Sequence, residues 1–106
     1  MTYGMAIAAL ADPTRRALVE KLRDGPLPVA QLANGLSVSR PAVSQHLKVL
    51  SDAGILTVSP QGTRRLYAIS PEGLCALRQY LDDLWSDALG AFEAAAAEEF
   101  KERRND

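Results

Sequence analysis

One cysteine, Cys75, and one histidine, His46, are all that 106 residues offer toward thiolate or imidazole chemistry. A lone cysteine excludes an internal disulfide and any site built on paired thiolates. Zinc-like sites need three or four soft or imidazole ligands at about 2.0–2.3 Å, so no metal site and no two-cysteine redox switch is expected within one chain. No Ser-His-acid arrangement is suggested, Cys75 and His46 fall in segments assigned to different ends of the fold, and no Gly-rich phosphate loop is present. Catalytic residues, cofactors and enzymatic activity are therefore not expected. No apolar run approaches the roughly 18 residues of a membrane span. The start, MTYGMAIAALAD, lacks the positively charged region of a secretory signal. The expectation is a cytoplasmic chain with no membrane partner.

What is present is ordinary globular material. The chain is 47% apolar and 24% charged, which predicts one folded domain over residues 1–106 rather than disorder. Its net charge of -1 hides a segregation: residues 15–65 hold eight Lys/Arg against three Asp/Glu, a net of +5, and residues 66–100 hold one Arg against seven acids, a net of -6. A local basic surface draws a protein to phosphates whatever the total charge.

In chain order, the first ten residues predict a short helix ending near Ala11. Asp12-Pro13 opens the next, to about Asp24, with Leu18 and Leu22 inward, and Gly25-Pro26 stops it. Pro28 opens VAQLANGL, with Val29, Leu32, Ala33 and Leu36 toward the core. A turn of about four residues leads to a helix capped by Ser39 and closed at Gly54, with Val43, Leu47 and Leu50 on its inner stripe. Two short helices across a turn predict a helix-turn-helix over about 28–53. Ile55–Ser59 and Arg64–Ser70, separated by Pro60 to Thr63, predict a β-hairpin over about 55–69. From Pro71 to about Phe100, capped by Ser70, a long helix of about 40 Å carries an apolar stripe, and the tail KERRND is expected to fray. The fold class is mainly α with a β-hairpin.

The outer face of the second helix-turn-helix segment supplies candidates for DNA contact: Ser39, Arg40, Ser44, Gln45 and His46 toward bases and phosphates, Pro41 and Ala42 toward thymine methyls, Lys48 toward a phosphate. Arg64 and Arg65, just past the hairpin tip, are candidates for phosphate or minor-groove contact. Alternation puts them on opposite faces, and the one turned inward is expected to ion-pair or lie along the hairpin. Arg15 and Arg16 are candidates for phosphate contact or for a salt bridge to the last helix. The surplus apolar face of the long helix wants a second copy, with Met5, Leu10, Leu77, Leu81, Leu84, Trp85, Ala88 and Phe92 at the interface. Cys75, beside the stripe, reads as a buried small hydrophobe; a redox role for it would need access and a depressed pKa.

Three segments, ALADPTRRALVEKL (9–22), LSVSRPAVSQHLKVLSDAGIL (36–56) and GTRRLYAISPEGL (62–74), together resemble the ArsR family of bacterial winged-helix transcriptional repressors over about residues 6–98. The resemblance is to the branch without the metal-binding cysteines, with a long Trp-containing helix after the wing. It implies a winged helix-turn-helix whose N- and C-terminal helices form a homodimer. Such a dimer binds an inverted repeat in double-stranded DNA and represses transcription, often of its own operon, in the cytoplasm on the nucleoid. No small-molecule effector can be read from these residues. Two other readings stay open: a nonspecific architectural DNA-binding protein, and a protein-protein interaction module using the acidic C-terminal helix.

Overall fold

The computed structural model describes residues 3–104. Two helices, α1 (Tyr3–Ala11) and α2 (Pro13–Lys21), lead through a 3-10 turn (Leu22–Asp24) to a two-residue strand, β1 (Leu27–Pro28). Then come α3 (Val29–Ala33), α4 (Arg40–Asp52), the hairpin strands β2 (Leu56–Gln61) and β3 (Arg64–Ile69), and α5 (Pro71–Arg104).

Local chemistry sets most of these boundaries. Asp12 caps α2, its carboxylate accepting the Arg15 N–H at 3.0 Å, and Pro13 occupies the first turn, where no donor is needed. Gly25, at φ 143°, carries the chain away from the 3-10 turn in a conformation that side chains disfavour. Ser39 caps α4 by accepting the Ala42 N–H at 3.2 Å, and Ser70 caps α5 through the Gly73 N–H at 3.1 Å. The hairpin closes through Gly62 and Thr63, with positive φ at the first tip residue as in a type II′ turn.

The core lies where α2, α3 and α4 meet the base of the sheet. Leu18, Leu32, Val43, Leu47, Leu50 and Ile55 are fully buried, with Leu22, Leu56 and Tyr67 almost so. The predicted stripe of α4, Val43, Leu47 and Leu50, is thus its buried face. The sheet order is β1-β3-β2, antiparallel, with Leu27 opposite Tyr67 and Val58 opposite the same Tyr67 from the other side. Tyr67 therefore joins all three strands. Lys21 ties α2 to the end of α3, its ammonium donating to the Leu32 carbonyl at 3.1 Å and to that of Asn34.

Several expectations need correction. Gly35 and Leu36 were expected in or near the turn, and Asn34 joins them: α3 ends at Ala33, Asn34 leaves the helical region and Gly35 turns at φ 81°, so the link to α4 is Asn34 to Ser39, longer than the four residues expected. Pro60 and Gln61 belong to β2, since an edge strand tolerates a proline that donates nothing to the ladder. Helix α5 runs on through Arg104, where Glu99 and Arg103 pair one turn apart at 2.9 Å. The first-ten-residue helix and the frayed tail also included Met1, Thr2, Asn105 and Asp106, which lie outside the described residues. Cys75 is exposed, not buried: it sits beside the stripe that Leu74 and Leu77 turn toward the core.

Candidate nucleic-acid interface

Burial of Val43, Leu47 and Leu50 decides what α4 shows to solvent. At 100° per residue the opposite line carries Pro41, Gln45, Lys48 and Asp52, and all four are exposed. Arg40 and Ser44 flank this line on the side of the hairpin. Ala42, His46 and Val49 flank it on the side of α1. The N-terminus of α4 lies at the exposed end of the same line, with the Ala42 N–H taken by the Ser39 cap and Pro41 contributing none.

Between α4 and the hairpin runs an open cleft of about 690 Å³. Arg40, Ser44 and Lys48 form one wall, and Thr63, Arg64 and Arg65 the other, with Val29 and Tyr67 among the residues at its base. The register places Arg65 on the same face as Tyr67, opposite Pro60, and Arg64 on the other face, opposite Gln61. Both arginines are nonetheless exposed, and among the described residues no ion pair holds Arg40, Arg64 or Arg65. The inward-turned arginine was expected to ion-pair or to lie along the hairpin, and among the described residues no ion pair holds it. Arg65 lies beyond the edge of the core, where the cleft is open and holds one carboxylate, Asp52. That carboxylate is taken by Lys48 at 2.8 Å, and the hydrogen bond and charge of Asp52 raise the lysine pKa above its ordinary 10.5. Three guanidinium groups that hold no ion pair among the described residues thus line one cleft beside an exposed helix, an arrangement suited to a polyanionic backbone.

Among the described residues no ion pair joins Arg15 or Arg16 to the last helix. Arg16 donates to the Leu10 and Ala11 carbonyls at 3.0 and 2.9 Å, and Arg15 donates through Nε to Ala9 at 2.7 Å. They satisfy the last carbonyls of α1, which has no other basic residue in its last turn. Arg15 also reaches α4: its Nη1 lies 3.4 Å from His46 Nδ1. Asp12 completes the cluster, its pKa held below the ordinary 3.8 chiefly by the Arg15 N–H, with the charge of Arg15 adding to the effect.

The expected interface residues for a second copy fall into two groups. Leu10 and Leu77 pack against the core. Met5, Leu81, Leu84, Trp85, Ala88 and Phe92 are exposed, Trp85 at 67% and Phe92 at 72%. Beyond Tyr80, α5 projects from the rest of the fold, and the long dimension of the molecule is 74 Å. Cys75 is at the start of this helix and His46 on α4; among the described residues no group of three His, Cys, Asp or Glu side chains could hold a metal ion. Also among the described residues, no helix is long and apolar enough to cross a membrane.

One structural position escaped the sequence reading. Gly73 is buried, and a Cβ there would stand 1.8 Å from the Gly54 carbonyl oxygen. The only hint in the sequence is a glycine in the first turn of a helix, a place where better helix formers are available.

Residues 10–59 match the model of a helix-turn-helix domain family. The chain is 58% identical over 84 residues to the HTH-type transcriptional regulator Rv2034 of Mycobacterium tuberculosis, covering 79% of this chain and 78% of that one. It is 41% identical over 71 residues to the HTH-type transcriptional repressor SmtB of the same species, covering 67% of this chain, and it spans only about half, 53%, of that relative. Among solved structures, the ArsR family transcriptional regulator RHA00566 superposes with a TM-score of 0.70 at 35% identity, covering 78% of this chain and 94% of that one. The homodimeric winged helix-turn-helix DNA-binding domain of Mb0332 from Mycobacterium bovis shares the fold, with a TM-score of 0.64 at 23% identity over 79% of this chain and 78% of that one. These relatives are transcription regulators, not enzymes, and the chain belongs to the ArsR family of winged helix-turn-helix transcriptional regulators.

Proposed function

We propose that the protein is a sequence-specific DNA-binding repressor that acts as a homodimer on an inverted repeat, in the cytoplasm and in contact with the nucleoid. The observation that carries this reading is the cleft between α4 and the hairpin, where Arg40, Arg64 and Arg65 hold no ion pair among the described residues and stand beside the exposed line Pro41, Gln45 and Lys48. In this reading α4 enters the major groove. Gln45, Arg40 and Ser44 meet base edges, Pro41 and Ala42 meet thymine methyls, and Ser39, Lys48, Arg64 and Arg65 hold phosphates. Lys48 exchanges Asp52 for a phosphate oxygen as it docks.

The exposed stripe of α5 supports the dimer. Leu81 and Leu84 are half exposed, and Trp85 and Phe92 more so; a contiguous apolar face of this kind on a helix 34 residues long is the usual mark of an interaction surface. A two-fold dimer spaces its two α4 helices about one turn of DNA apart, roughly 34–36 Å, and occupancy of a promoter then blocks transcription, including that of the protein's own gene where the repeat lies upstream of it. Selection of bound duplexes from a random library tests this. The expected result is an inverted repeat with half-sites one helical turn apart; a library that emerges unenriched contradicts it.

A further inference from the structure

We infer that Arg15 is a positioning residue that fixes His46 as a hydrogen-bond donor toward DNA. The inference rests on the reading of α4 as the DNA-facing helix. A guanidinium carries five donors and no acceptor. The contact between Arg15 Nη1 and His46 Nδ1, at 3.4 Å, therefore requires a lone pair on Nδ1. The ring proton then resides on Nε2. That outer nitrogen has no partner among the described residues and is not a buried atom, so it is open to whatever α4 docks against.

Arg15 is itself held in place. Its Nε donates to the Ala9 carbonyl at 2.7 Å, its Nη2 to Ala8 at 3.4 Å, and its backbone N–H to Asp12 at 3.0 Å. The orientation of the His46 ring is thereby referred to the end of α1 and the start of α2. His46 is half-buried on the α1 flank of the exposed line, next to Gln45. A single donor at that place selects an acceptor: purine N7, guanine O6 or thymine O4 on a base edge, or a phosphate oxygen. It discriminates against the cytosine amino group, which is itself a donor.

The test uses the full chain and a duplex selected for wild-type binding. Affinities are measured for wild type, R15M, H46A and the double variant, and for H46Q with and without R15M. Each is titrated against duplexes in which each position of a half-site carries in turn a base analogue lacking N7, O6 or O4 (a 7-deazapurine, 2-aminopurine for guanine, 5-methyl-2-pyrimidinone for thymine) or a methylphosphonate. R15M and H46A are each expected to weaken binding about five- to tenfold, the loss of one hydrogen bond, and the double variant no more than the weaker single one. H46Q, whose amide supplies its own donor, is expected to retain the preference and to make it insensitive to R15M. Imidazole nitrogen NMR of the free protein is expected to show the Nε2–H tautomer in wild type and a larger Nδ1–H share in R15M. One substituted DNA position is expected to lose its effect in H46A and R15M alike; a base analogue assigns the acceptor to a base and a methylphosphonate assigns it to the backbone. Additive losses, losses spread evenly over all DNA positions and sequences, or an unchanged tautomer in R15M would overturn the role of Arg15 and leave the DNA-reading assignment standing. Wild-type binding without any sequence preference would overturn both.

Discussion

Replacing Gly73 by alanine sets two rules against each other. In a helix interior, alanine is favoured over glycine by about 1 kcal/mol, so sequence reasoning alone predicts a more stable protein. The structure predicts the opposite. The new methyl carbon would stand 1.8 Å from the Gly54 carbonyl oxygen and 2.9 Å from its carbon, so the start of α5 and the turn after α4 must separate by about 1.2 Å merely to reach 3.0 Å. Neither side yields easily. The turn is held by Gly54 N–H to Ser51 and Ile55 N–H to Leu50, both at 3.0 Å, and the helix start by Ser70 N–H to Ile55 at 2.8 Å and the Ser70 cap on Gly73. Overpacking of this kind costs typically 1–3 kcal/mol, and here the obstacle is backbone, which argues for the upper part of that range. The net expectation for G73A is a loss of about 1–2 kcal/mol, a fall in the urea midpoint of roughly 0.5–1 M. Gly90 supplies the control within the same helix: it is exposed, and nothing stands within 4 Å of an added Cβ, so G90A is expected to gain up to about 1 kcal/mol. Both are read by equilibrium urea unfolding at one fixed protein concentration, since association in a dimer as proposed would add to apparent stability. A G73A midpoint at or above that of wild type would refute the close approach of α5 to the Gly54 turn.

Other perturbations bear on the interface and the dimer. R64A is expected to weaken binding to all sequences alike and to lower the slope of log affinity against log salt by about one; a loss confined to one operator base pair would assign Arg64 to base reading instead. W85E combined with F92E is expected to convert a dimer to a monomer in sedimentation equilibrium while helicity stays unchanged, and a persistent dimer would move the interface off the α5 stripe. The Asp12 carboxyl is held below its ordinary 3.8 by the Arg15 N–H, so the unfolded chain takes up its proton first as the solution is acidified. Its contribution to stability is full above about pH 4–5 and is lost as pH falls through the lower folded value. D12A is therefore expected to be less stable than wild type near neutral pH, with the difference narrowing as the pH falls below 3.8; a difference independent of pH would show that the charge on the cap contributes nothing.

The parts of the fold that could be read from the sequence are those governed by near neighbours. Val43, Leu47 and Leu50 share a face because a helix has 3.6 residues per turn, and Asp12, Ser39 and Ser70 cap because their side chains reach N–H groups three residues on. The hairpin was visible from its β-favouring runs and Gly62. What escaped depends on distant partners. The strand Leu27–Pro28 has no pattern of its own and exists because Tyr67 and Leu66 lie opposite it. Gly73 is needed because of Gly54, nineteen positions earlier. Of the candidate site, α4 and the wing tip were legible as polar and basic residues on predicted elements. That Arg15 and Arg16 turn back to cap α1, and that Arg15 touches His46, was not, since a charged side chain in a first turn carries no sign of which carbonyls it will find. Cys75 was misread because one helical step decides between core and solvent.

The most direct test of the account is fluorescence-anisotropy titration of the purified protein against the region upstream of its own gene and against a scrambled duplex of equal length, at near-physiological salt. The account predicts a preference of about a hundredfold or more for the native fragment, within the span that separates specific from nonspecific binding, with two protomers on each site. Equal affinity for the two duplexes would contradict autoregulation through that region, and equal affinity for every duplex in a random library as well would contradict sequence-specific repression altogether.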